Sequence, residues 1–78
     1  MNIKDYHEHI VTAWQLLKAF HTRPYDGDAY WNAYADALEG PAVREMSQTR
    51  FGMDLLQAVT KELERIKRGE TNHDNTQN

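Results

Sequence analysis

The chain has 78 residues, enough for one domain and too few for two. Its hydrophobic content of 40% supports a small core, and the absence of cysteine excludes disulfides and thiolate metal sites. The net charge of −3 is uneven: residues 1–42 carry three cations against six acids, whereas residues 43–78 carry six of each. An acidic half repels phosphates and attracts basic surfaces, so direct nucleic-acid binding is not expected. A cysteine-free chain fits a reducing cytosol, and a cytoplasmic location is expected. No apolar segment follows the charged start at Met1–Tyr6, so no signal peptide is read there. No run approaches the roughly 20 apolar residues of a bilayer span, and no membrane partner is expected.

The first element is a helix from about Ile3 or Lys4 to Phe20 or His21. Ile3, Tyr6, Ile10, Ala13, Trp14, Leu17 and Phe20 recur in steps of three and four, which predicts that this stripe faces the core. Asn2 is a candidate N-cap, with Asp5 three residues on. Pro24 pushes its predecessor out of the helical region and ends the element.

The stretch Tyr25–Gly40 organises the rest. It holds three of the four tyrosines, one of the two tryptophans and four of the twelve acids. Pro24-Tyr25-Asp26-Gly27 is turn chemistry. Asp28 is then read as an N-cap for a second helix, about Ala29 to Glu39, with Gly40 as its left-handed C-terminal residue. Trp31, Tyr34, Ala35 and Leu38 form the expected inner stripe, and Asp28, Asn32, Asp36 and Glu39 the outer one. Tyr30, Ala33 and Ala37 form a shallower apolar strip between them.

Pro41 suits the first turn of a short helix to about Met46. Residues 41–50 could equally continue into the next helix through an irregular turn. From Thr49 or Arg50 to Arg68, Phe51, Leu55, Leu56, Val59, Leu63 and Ile66 make an apolar stripe; Lys61, Glu62, Glu64, Arg65, Lys67 and Arg68 are expected at the rim or in solvent. Gly69 is the expected stop. Gly52, early in this helix, marks either a kink or a close backbone approach. Glu70–Asn78 has no aliphatic residue and is expected to be disordered. The resulting architecture is all-α: a three-helix bundle over 1–69, with a short fourth helix at 41–46.

Chemistry-bearing patterns are sparse. His7 and His9 are two apart, so they do not share a helix face as His-x-x-x-His zinc ligands do. They read as exposed histidines, with Asp5 able to pair with His9 four residues on. Asp26-Gly27-Asp28 fails as a calcium loop: its sixth position is Trp31 and its twelfth Ala37, where glycine and glutamate are needed. Neither a metal nor another cofactor is expected. Ser47 is the only serine and has no histidine nearby in sequence, so no catalytic role is assigned. The last helix places Phe51, Gly52, Met53 and Asp54 where a recognition helix needs base contacts.

What remains is a partner-binding face on the second helix. Asp28, Asn32, Asp36 and Glu39, with Asp26 in the preceding turn, form a negative row roughly 15 Å long at the helical rise. Tyr25 and Tyr30 at its edge are residue types that anchor interfaces. The expected partner is a protein with a basic surface. The alternative is a homo-oligomer that buries Tyr30, Trp31, Ala33 and Ala37 between copies.

On Asp26, Asp28, Asp36 and Glu39 and its cysteine-free helical pattern, the chain resembles the short acidic helical proteins of phages and other bacterial mobile elements, including many anti-CRISPR proteins. The resemblance is one of size and character. It implies stoichiometric inhibition, with an acidic surface occupying a basic nucleic-acid channel of a host complex.

Overall fold

A computed structural model describes residues 1–71. Four helices follow in order: α1 (Ile3–Thr22), α2 (Asp28–Leu38), α3 (Pro41–Met46) and α4 (Arg50–Thr71). The architecture is the expected all-α bundle with its short fourth helix at 41–46.

The helix ends follow local rules. Asn2 caps α1 in a full capping box: its side chain accepts from the Asp5 amide at 3.0 Å, while the Asp5 carboxylate accepts from the Asn2 amide at 3.4 Å. Arg23, ahead of Pro24, is extended and terminates α1. The turn reverses at Gly27, whose φ of 74° is the one positive value among the described residues. Gly27, not Asp28, is the N-cap of α2; Asp28 is the first helical residue, with its carboxylate in the first turn where the dipole favours it. Gly40 is not left-handed. It is extended (φ −63°, ψ 152°) and serves as the N-cap of α3, with Pro41 at the first helical position.

The break at Ser47–Thr49 lets α3 and α4 meet almost backbone to backbone. Thr49 caps α4 by accepting from the Gly52 amide at 3.0 Å. A Cβ on Gly52 would lie 2.0 Å from the Met46 carbonyl oxygen and 2.6 Å from its carbon. Of the two sequence readings of Gly52, the close approach is the one realised. α4 passes through Gly69 and ends at Thr71. Glu70 and Thr71, expected in a disordered tail, are helical; the rest of that expected tail, 72–78, lies outside the described residues.

α1 and α4 run parallel. Tyr6 of α1 meets Phe51 near the start of α4, with ring centroids 4.9 Å apart, and Lys67 near the end of α4 reaches His21 at the end of α1. α2 and α3 pack on one side of this pair. The core is Ala13, Leu16 and Phe20 of α1, Tyr30 and Tyr34 of α2, Met46 of α3, and Val59 and Leu63 of α4. Val43 of α3 is buried as well.

This core differs from the expected stripes in a consistent way. On α1 the buried line is His9, Ala13, Leu16 and Phe20, rotated from the predicted line. Ile3, Ile10 and Trp14 stay 83%, 51% and 56% exposed. On α2 the buried pair is Tyr30 and Tyr34, Trp31 and Leu38 are half-buried, and Ala35 is exposed. On α4, Lys67 is only 2% exposed rather than in solvent. No helix among the described residues is long and apolar enough to cross a membrane.

Candidate functional site: the outer row of the second helix

The turn and the four-residue spacing set the geometry of α2. Asp28, Asn32 and Asp36 succeed one another at i, i+4 and i+8, and all three are exposed. Glu39, the C-cap residue just past the helix, is exposed as well. α2 itself contains no cation to offset these acids. Asp26, in the preceding turn, lies 3.9 Å from the Arg23 guanidinium, with both side chains about half exposed. A pair of that length and exposure contributes little and leaves the carboxylate open to solvent.

The aromatic edge is arranged differently from the sequence reading. Tyr25 is half-buried at the margin of the row, 5.4 Å from the Tyr30 ring and 6.4 Å from Trp31. Tyr30 is not available at all: its exposure is 0%. Its hydroxyl donates to the Phe20 carbonyl oxygen at 2.7 Å, which satisfies the one polar atom that would have favoured the surface. The ring packs edge-on against Phe20 and Trp31. Tyr30 is thus removed from the partner-binding set; of the strip expected in the homo-oligomer reading, Tyr30 is sealed while Trp31, Ala33 and Ala37 are half-buried.

Behind the acidic row lies a cluster that supports it. The Lys67 ammonium donates to the carbonyl oxygens of His21 (3.1 Å) and Arg23 (2.9 Å). Those are carbonyls of the open C-terminal end of α1, where a cation meets the negative end of the dipole. The same ammonium lies 5.4 Å from the centre of the Tyr30 ring. Tyr34 shares a 2.6 Å hydrogen bond with the Thr60 hydroxyl, which itself donates to the Leu56 carbonyl oxygen at 2.8 Å. Burial raises the Tyr34 phenol above its ordinary value; the Thr60 bond pulls it down and Glu64 pushes it up. On the exposed side of α4, Glu62 and Arg65 form a bridge that lowers the Glu62 carboxyl and raises the Arg65 guanidinium.

The sequence pattern sets Lys67 at the rim or in solvent, because a lysine near a helix C-terminus normally serves its own helix. The sequence signal was its place on the face of Val59, Leu63 and Lys67, successive i+4 positions.

His9 is the second departure. It is 8% exposed and lies with its ring nearly parallel to Phe51, centroids 6.5 Å apart. Asp5 is engaged in the capping box, so the expected Asp5–His9 pair is not made, and Nε2 of His9 has no hydrogen-bond partner. Among the described residues no three His, Asp or Glu side chains are placed to hold a metal ion. An apolar groove of about 450 Å³ between α2, α3 and α4 is walled by Leu38, Val43, Met53 and Leu56, with Lys61 and Glu64 at its rim.

Comparison with protein families, with characterised proteins and with solved structures finds no match to the chain.

Proposed function

We propose that the protein acts by binding rather than by catalysis, using the α2 row to dock on a basic surface of a protein partner. The observation that supports this is the exposed, cation-free line of Asp28, Asn32, Asp36 and Glu39 on a helix whose opposite side is locked into the core by Tyr30 and Tyr34. A rigid row of negative charge steers association with a positive cleft and competes there with phosphate. Asp26 and the half-buried Tyr25 extend the contact at its leading end. Following the resemblance to mobile-element inhibitors, the partner is a bacterial nucleic-acid-binding complex, such as a CRISPR effector, and the outcome of docking is loss of nucleic-acid binding.

The test is competition. Purified effector complexes are offered labelled target DNA with increasing amounts of the protein. The reading requires displacement that weakens as salt is raised, because exposed charge attraction is screened within about 8 Å at physiological ionic strength. The triple variant Asp28→Lys, Asp36→Lys, Glu39→Lys is expected to lose displacement while keeping its helical spectrum. Retained displacement by that variant removes the α2 row from the proposal.

A further inference from the structure

The groove between α2, α3 and α4 carries a separate inference. Its walls are Leu38 of α2, Val43 of α3, and Met53 and Leu56 of α4. Its volume of about 450 Å³ falls within the range of small-molecule sites, roughly 300–1,000 Å³. Two hydroxyls line it, and the protein uses both. Thr60 donates to the Leu56 carbonyl oxygen at 2.8 Å and shares a 2.6 Å hydrogen bond with Tyr34. Ser47 donates to the Arg44 carbonyl oxygen at 2.6 Å. A molecule inside the groove therefore meets carbon and hydroxyls that are already satisfied, so the part it buries there has to be apolar.

The rim on α4 is different. Gln57 and Lys61 both border the groove, both are exposed, and at i and i+4 they stand one turn apart on the same face of the helix. Among the described residues neither side chain has a hydrogen bond or an ion pair. Glu64, the acid on the rim, also borders a second hollow that it shares with Lys67 and Arg68. Its charge stands beside two cations, which leaves the Lys61 ammonium as the uncompensated charge at the groove. We propose that the groove binds a small amphiphile with an apolar chain and a carboxylate head. The chain lies against Leu38, Val43, Met53 and Leu56, and the head accepts from the Gln57 amide and the Lys61 ammonium. The satisfied hydroxyls select the chain, and charge selects the head: a carboxylate gains a charge-assisted hydrogen bond from Lys61, whereas a cationic head is repelled by it. The same lysine disfavours a basic protein segment in this groove. None of Asp26, Asp28, Asn32, Asp36 and Glu39 lines it, so the site stands or falls independently of the proposed docking function.

The experiment is a titration of the full chain with sodium octanoate, below its micelle-forming concentration, followed by the methyl NMR shifts of Leu38, Val43, Met53 and Leu56. Saturable binding with a Kd of about 1 mM or tighter is expected, and across hexanoate, octanoate and decanoate the affinity should rise about fourfold per added methylene. Octan-1-ol is expected to bind more weakly than octanoate, and octylammonium more weakly still. Lys61→Met is expected to weaken octanoate at least about fivefold and to leave octan-1-ol unchanged. Met53→Glu, at an exposed position on the groove wall, is expected to weaken acid and alcohol alike, with unchanged circular dichroism. Absence of a saturable shift for any of the three acids overturns the proposal. Octylammonium binding as tightly as octanoate overturns the carboxylate head, and binding that ignores Met53→Glu places the ligand outside the groove and overturns the site. A ligand-free chain that sediments as a dimer, and as a monomer once it carries Met53→Glu, gives the groove to a second copy and overturns the proposal as well.

Discussion

The two sides of α1 make an instructive pair. On the inner side, Ala13, Leu16 and Phe20 pack in one cluster with Met46, Val59 and Leu63 and with two residues that each bring a hydroxyl, Tyr30 and Tyr34, while Lys67 is buried beside Tyr30. On the outer side, Ile3, Ile10 and Trp14 bring almost none, yet they stay in solvent. Apolarity alone therefore does not rank burial here. The inner side contains the C-terminal carbonyls of α1, which need donors. Tyr30 and Lys67 supply those donors to Phe20, His21 and Arg23, and their long apolar bodies fill the space on the way. The outer side offers no such anchor, so α2 and α3 settle on the inner one.

The contrast is best broken by attacking the joint that closes the inner side. Gly52 is where α4 rests on the Met46 backbone. Replacing a helical glycine with alanine ordinarily gains about 1 kcal/mol. Here the new methyl group meets a carbonyl that no rotamer change can move. Gly52→Ala is expected to lose about 3 kcal/mol or more, at the upper end of overpacking costs. Urea denaturation checks it, and a variant as stable as wild type would show that α3 does not press on α4 as described.

Next in size is the remote cap. Lys67→Met keeps the stem and removes the ammonium, leaving the His21 and Arg23 carbonyls without that donor. Hydrogen bonds from charged groups contribute about 1.5–3 kcal/mol, and a loss in that range is expected by thermal or urea unfolding. Lys61→Met, at an exposed position of the same helix, is the control and is expected to stay within about 0.5 kcal/mol of wild type.

These two residues show where the sequence was legible. Helix number, order and approximate limits follow from periodicity, Pro24, Gly27 and Pro41, all local signals. The short α3 was one of two open readings, because a six-residue element has little periodicity of its own. The rotation of α1 was not readable: its apolar residues span so wide an arc that Ile3-Ile10-Trp14 and Ala13-Leu16-Phe20 are equally good stripes. Only tertiary partners choose between them. The exposure of Asp28, Asn32, Asp36 and Glu39 follows from their charge and spacing. The inward turn of Tyr30 does not, since it depends on a carbonyl ten residues earlier.

Tyr34 sharpens the comparison through pH. Tyr34→Phe removes the bond to Thr60 and is expected to cost about 0.5–1.5 kcal/mol near neutral pH. Burial raises the folded phenol above its ordinary value of about 10. The unfolded chain then releases its proton first as pH rises. The stability linked to Tyr34 is full below about pH 10 and falls as pH climbs from there through the raised value. Wild type should lose stability over that alkaline window more steeply than Tyr34→Phe. Parallel curves would mean that the phenol is not desolvated in the fold.

The smallest effect tests the open side itself. Ile10→Gln and Trp14→Gln remove apolar side chains that stay 51% and 56% exposed in the monomer, so each is expected to cost less than about 1 kcal/mol. A loss of 2 kcal/mol or more there would place these side chains in the monomer's core and erase the distinction between the two sides.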